Sequence, residues 1–197
     1  MRWAWAARWR RRRGWALLVL LAALAAGALP TRCSHALSTQ LGAPPRALAH
    51  FLADFTNQPQ LYPYLEAWAI EDEWSNVTSW RYSVSYSCGE RCSGRASVVA
   101  HDEPAHVPAH VSSPVEYRVH VTHTHCTRLP LLPWPQFCDE METEAVIRAR
   151  GAGSLYSERA ARRCAALRVV TGRCTAELRA SRDRHLLRLR QLLQHYD

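Results

Sequence analysis

The chain has 197 residues, with 25 basic and 17 acidic side chains and a formal net charge of +8. Six of the basic residues lie within residues 2–13, which leaves 19 against 17 for the remainder. No basic stripe for a phosphate backbone exists outside that segment, so nucleic acid is excluded as a partner.

The first thirty residues read as a targeting segment. Arg2, Arg8 and Arg10 to Arg13 form a basic flank, and no charge occurs from Gly14 to Thr31. The apolar run over 15–29 has the length of a signal-peptide core and is short of the roughly 20 residues of a spanning helix. Ala26, Gly27 and Ala28 offer a cleavage site after Ala28. Cleavage gives a secreted protein. Retention gives a single-pass anchor, with the membrane as a partner of the N-terminal segment. Both place residues 35–197 on the extracytoplasmic side as one domain.

The body opens with two short helices over 42–65. Pro44 and Pro45 preset a helix start, and Leu48, Phe51, Leu52 and Phe55 recur at helical spacing. Asn57, Gln58 and Pro59 interrupt the run. Leu61, Tyr62, Tyr64 and Leu65 then form a second apolar cluster. Strands are expected at 66–73, 79–88, 94–100, 115–125 and 141–150, with final strand material over 154–164 and 165–175. The clearest is 79–88, where Trp80, Tyr82, Val84 and Tyr86 alternate with polar residues. Residues 101–114 read as a Pro/His-rich surface loop, and 129–137 as an apolar, proline-broken connection suited to a rim or an exposed patch. From Ala176, with Thr175 as N-cap, Leu178, His185, Leu189, Leu192 and Tyr196 mark one face of a long helix, widened by Leu186 and Leu193. Arg179, Arg182, Arg184, Arg188 and Arg190 are expected to cover much of the rest.

Seven cysteines suit an oxidising compartment. Proximity in sequence groups six of them as Cys88 with Cys92, Cys126 with Cys138, and Cys164 with Cys174. Fifteen pairings are formally open. Cys33 is left free or able to link two chains as a disulfide dimer. Asn76-Val77-Thr78 is a glycosylation sequon, which an exported chain would carry on Asn76.

Signs of catalysis are few. No G-x-S-x-G, H-E-x-x-H or Gly-rich phosphate loop occurs, and no paired C-x2-C spacing for zinc. Glu71, Asp72 and Glu73, and likewise Glu140, Glu142 and Glu144, read as solvated, ion-paired faces. His123 and His125 share a strand face at a spacing two metal ligands can use, with His101, His106 and His110 nearby, but exposed histidines are the simpler expectation. No cofactor, metal or enzymatic role is expected.

Helix, helix, antiparallel strands and one long C-terminal helix is the order of the helix-grip fold, an α+β class. The chain resembles the START-like superfamily, also called polyketide cyclase/dehydrase and lipid-transport-like, at Ala43-Pro44-Pro45, Phe51-Leu52-Ala53-Asp54-Phe55, Tyr62-Pro63 and Trp68. The resemblance implies a curved sheet wrapped around the last helix, with an apolar cavity between them. It would be lined by Trp80, Tyr82, Val84, Tyr86, Tyr117, Val119, Val121, Leu189 and Leu192. The implied role is binding of a lipid or other apolar small molecule. An extracellular adhesion or signalling module with a filled core is the alternative, and a cyclase-like enzyme the third reading. Multiple disulfides and the 101–114 loop depart from the family pattern.

Overall fold

The computed structural model describes residues 29–76, 78–90, 92–103, 116–128 and 136–194, together with Gly27. Seven strands form one antiparallel sheet in the order β1-β7-β6-β5-β4-β3-β2. They are β1 (Pro30–Leu41), β2 (Ala67–Ser75), β3 (Ser79–Ser87), β4 (Cys92–Glu103), β5 (Glu116–Arg128), β6 (Gln136–Arg150) and β7 (Gly153–Ala165). Helix α1 (Pro45–Ala53) and α2 (Gln58–Leu61) follow β1, while α3 (Ala166–Val170) and the long α4 (Arg173–Leu193) close the chain.

The two-helix unit forms for the reasons its sequence gives. Pro45 sits in the first turn of α1, where no intrahelical N–H bond is required. Leu48, Ala49, Leu52 and Ala53 bury one face. Asp54 ends the helix, and its carboxylate accepts from the Thr56 N–H and hydroxyl. A single 3-10 turn, Phe55–Asn57, then runs into α2, with Pro59 again in a first turn. Gln58 is buried and donates to the Leu52 carbonyl at 3.1 Å, which satisfies an acceptor left open at the end of α1.

Two apolar clusters result. The larger joins α1, the 55–65 segment and the inner faces of β3 to β6, with Val84, Val98, Ile147 and Leu189 wholly enclosed. The smaller lies where β1 and β7 meet the start of α4 and contains Cys33, Ala160, Cys164, Cys174 and Leu178. The outer face of the sheet is ion-paired: Arg95 with Glu71 at 2.9 Å, Arg163 with Glu140 at 3.0 Å, Arg32 with Glu142 and Arg118 with Glu144, both at 3.6 Å. Each exposed pair of this kind contributes little to stability.

Three expectations are corrected, and one element is added to those expected from the sequence. Residues 30–41 form a full edge strand paired along its length with β7. The segment 165–175 is helical: α3 ends in a turn at Gly172, whose φ of 73° is left-handed, and α4 begins at Arg173, ahead of the expected N-cap. Arg182 lies inside the fold with only 2% of its surface accessible. Cys33 is also buried, its sulfur grouped with those of Cys164 and Cys174, so it is not placed to link two chains. The leader, most of the 101–114 loop, the bulk of the 129–137 connection and Tyr196 lie outside the described residues.

Candidate functional site

A cavity of about 440 Å³ opens between the end of the two-helix unit, the inner face of the sheet and the first half of α4. Tyr62 and Tyr64 reach it from the segment after α2. Tyr86 comes from β3, His123 and His125 from β5, and Met141 from β6. Arg162 belongs to β7, and Leu178 and Ser181 to α4. Strand alternation explains the pairing of His123 with His125, since residues two apart point to one face. They line the cavity and are not the exposed histidines expected.

The walls are ring-lined. Tyr62 stacks on His185 with centroids 5.4 Å apart, and Tyr86 stacks on His125 at 6.4 Å. His123 presents its edge to both Tyr62 and Tyr86, at 6.3 and 6.5 Å. Tyr64 meets His125 edge-on at 6.2 Å. Gly94 makes room for this arrangement. It pairs with Tyr86 across the β3–β4 ladder, and a Cβ there would run into the Tyr86 ring and the Thr124 carbonyl. Arg162 and Asp139, paired at 2.6 Å, add a charged edge to the cavity lining.

A second, smaller cavity of about 30 Å³ lies behind Tyr62 and His123. That is room for about one water molecule. Its wall is apolar at Val119, Val121 and Ala145 and polar at Thr143, Arg182 and His185. Arg182 forms a buried ion pair with Glu158 and donates to the Tyr62 hydroxyl at 3.0 Å. Tyr156 donates its hydroxyl proton to Glu158. Thr143 Oγ1 and His185 Nδ1, both buried, have no hydrogen-bond partner among the described residues.

The electrostatics follow from this burial. Removal from water pushes His123 down to about 4, and the charges of Arg182 and His125 act in the same direction. Burial lowers His185 well below its usual range, again helped by Arg182, and lowers His125 as well. Burial raises the Tyr86 phenol above its usual range. Burial opposes the charged form of Arg182, but Tyr62, Glu158 and Tyr156 outweigh it and hold the guanidinium charged. At neutral pH the site therefore presents the neutral imidazoles of His123, His125 and His185 and the neutral phenol of Tyr86, with two compensated ion pairs, Arg182–Glu158 inside and Arg162–Asp139 at the edge.

The expected lining residues separate into groups. Tyr86 lines the large cavity, and Val119 and Val121 the small one. Trp80 and Tyr82 face a different groove, between α1 and the exposed strand β2. There the Tyr82 hydroxyl donates to the Ala53 carbonyl and accepts from the Phe55 N–H at 2.8 Å. Val84 and Leu189 are enclosed in the core, and Tyr117 and Leu192 pack against it. Cys88 and Cys92 pair across the β3–β4 turn on the cavity wall, 4.9 Å apart at Cα. Cys126 and Cys138 pair directly across β5 and β6.

A curved seven-stranded antiparallel sheet against one long C-terminal helix, with a cavity between them, settles the architecture. It is the helix-grip fold. No family model matches the chain, and no curated protein does. Solved structures similar to it include a START superfamily protein from Mycobacterium smegmatis. That match has 15% identity and a TM-score of 0.46, over 83% of this chain and 99% of that one. A Rhizobium loti protein matches at 14% identity and a TM-score of 0.48, over 83% and 98%. An aromatase/cyclase from Streptomyces sp. R1128 matches at 12% and 0.41, over 85% and 94%. Pocket contents and chemistry are read from this chain's own residues.

The signal for Arg182 was in the sequence. It lies four residues after Leu178, three before His185 and seven before Leu189, on the helix stripe that the apolar residues define. A charged residue on that stripe implies a buried partner, and Glu158 on β7 supplies it.

Proposed function

We propose that this helix-grip domain binds an apolar small molecule, with a flat body and one hydrogen-bonding end, in the 440 Å³ cavity. The observation that carries the reading is the cavity itself. Its volume falls within the range of small-molecule sites, and its walls are rings: Tyr62, Tyr64, Tyr86, His123 and His125. Flat faces of this kind favour stacked or edge-on contact with another ring or a rigid lipid. Beyond His123 lie the unpaired Thr143 Oγ1 and His185 Nδ1, one acceptor-donor and one imidazole nitrogen. They favour a ligand that ends in a hydroxyl or carbonyl.

The grouped cysteines suit an oxidising compartment. We place the domain outside the cytosol on that basis, secreted or held by its N-terminal segment. No helix among the described residues is long and apolar enough to cross a membrane. Asn76 is exposed in the β2–β3 turn. Its side-chain oxygen accepts from the Thr78 and Ser79 N–H groups, which leaves the amide nitrogen facing outward for a glycan.

Native mass spectrometry of the full chain from a secretory host, followed by organic extraction, tests the reading. It is expected to show an added mass lost on extraction. Anilinonaphthalene sulfonate should bind the extracted protein, and Leu178→Trp should abolish that binding by filling the cavity. Probe binding unchanged in Leu178→Trp, with no added mass in the parent protein, overturns it.

A further inference from the structure

Seven cysteines cannot all pair within one chain, and the fold shows where the odd one resides. Cys88 faces Cys92, and Cys126 faces Cys138. The other three converge. Cys33 of β1, Cys164 of β7 and Cys174 in the first turn of α4 have their sulfurs within 4.8 Å of one another, and all three are buried. Cys174 has Cα separations of 6.5 Å to Cys33 and 6.2 Å to Cys164. Both lie inside the 4.4–6.8 Å that a disulfide spans.

We infer that Cys174 is a shared partner, and that the oxidised protein exists as two disulfide isomers, Cys33–Cys174 and Cys164–Cys174, interconverted by internal exchange. The step balances without an external oxidant. The Cys33 thiolate attacks Cys174 Sγ, the Cys174–Cys164 bond breaks, and Cys164 leaves as a thiolate that takes up the proton Cys33 gave up. The reverse step is the same reaction with the outer sulfurs interchanged. Two features favour it. The sulfurs are already gathered by the β1–β7 ladder, in which Cys33 and Cys164 lie on neighbouring strands. Cys174 also sits at the amino end of a 21-residue helix, so the positive end of that helix lies within a few ångströms of the Cys33 and Cys164 sulfurs, where the attacking and leaving thiolates form.

The exchange has a structural consequence. One isomer ties α4 to the preceding strand across a separation of 10 residues, and the other ties it to the first strand across 141. Leu178, one turn beyond Cys174, belongs to the same buried cluster and also lines the 440 Å³ cavity. The thiol chemistry is therefore in packing contact with the cavity wall.

Peptide mapping tests the inference on the full chain. The protein is quenched in acid, its thiol is capped with an acid-tolerant alkylating reagent, and digestion is carried out without reduction. The expected result is both linked peptides, Cys33–Cys174 and Cys164–Cys174, with one capped thiol per chain divided between Cys164 and Cys33 and none on Cys174. Cys33→Ser and Cys164→Ser should each fold, each keep one of the two links and each lose the free thiol. A single link in the parent protein overturns the inference. So does a capped Cys174, three capped thiols, or a bound zinc ion held by all three sulfurs.

Discussion

Acid should weaken this fold through its buried imidazoles. His123 is held at about 4 in the folded protein against an ordinary value of 6.5. The folded state therefore keeps it neutral where the unfolded chain takes up a proton. Stability is full above the unfolded value and is lost as pH falls from 6.5 towards 4. Between pH 7.5 and 5.5, these two values give a loss of about 1.3 kcal/mol from His123 alone. That figure is an upper bound, because the ring's remaining accessible surface opens into the cavity and water there offsets part of the desolvation. His185 and His125 are lowered too and act in the same sense.

The groups facing His123 and His185 are Arg182 on α4, Tyr62 after α2 and Tyr86 on β3, and His125 also faces Tyr64, Asp139 and Arg162. Arg182 stays charged and Tyr86 neutral over this range. Urea unfolding followed by tryptophan fluorescence at pH 7.5 and 5.5 reads the effect. At an m-value of about 2 kcal/mol/M, His123 alone lowers the midpoint of the parent protein by up to ~0.7 M, with His185 and His125 adding to the fall. His123→Gln should recover a large part of that fall, the rest belonging to His185 and His125. An equal fall in parent and variant would refute the assignment.

Four other outcomes follow from the same contacts. Glu158→Gln should cost about 3–5 kcal/mol in urea unfolding, because it strands the buried charge of Arg182, whereas pairing it with Arg182→Met should restore most of the loss. Tyr82→Phe removes a hydroxyl bonded to both Ala53 and Phe55 and should cost about 1–3 kcal/mol without altering probe binding, since Tyr82 lies outside the large cavity. Gly94→Ala should displace the Tyr86 ring, costing about 1–3 kcal/mol and weakening naphthalene-probe fluorescence together with stability. Cys164→Ser, which keeps the link across 141 residues, should be about 2 kcal/mol more stable than Cys33→Ser, which keeps the link across 10, as loop-closure entropy requires.

The fold was legible where one face of an element is buried and the other is wet. Strand β3 shows this best: Tyr82, Val84 and Tyr86 are enclosed while Arg81 is exposed. The proline-led start of α1 and the stripe of α4 were equally plain. Strand β1 was not, because it is an edge strand of mixed small polar residues directly after an apolar leader, and only its pairing with β7 defines it. The start of α4 was missed because Val169 and Val170 read as strand, while the turn at Gly172 decides the matter through its left-handed backbone. The candidate site was less visible still. Cys88, His125, Asp139, Arg162 and Leu178 are spread over ninety residues, and sheet curvature brings them to one wall.

Arg182 and Glu158 raise a question that burial energetics sharpens. A buried ion pair is seldom a net source of stability compared with apolar residues of the same shape. Its value here is positional. Arg182 donates to the Tyr62 hydroxyl, and Arg188, six residues further along α4, donates to the Leu61 carbonyl at 3.0 Å. Both bonds run from α4 to the segment that closes the cavity, and both use groups with defined direction. Apolar packing alone would let Tyr62 slide along the helix. A guanidinium held on its other side by Glu158 fixes the phenol ring, and through it the stack with His185 and the edge contact with His123. The same guanidinium lies next to the two imidazoles and adds to the burial that already keeps them neutral. One buried interaction thus fixes the shape of the cavity roof and reinforces the neutrality that burial gives His123 and His185, so a ligand meets rings that are already oriented.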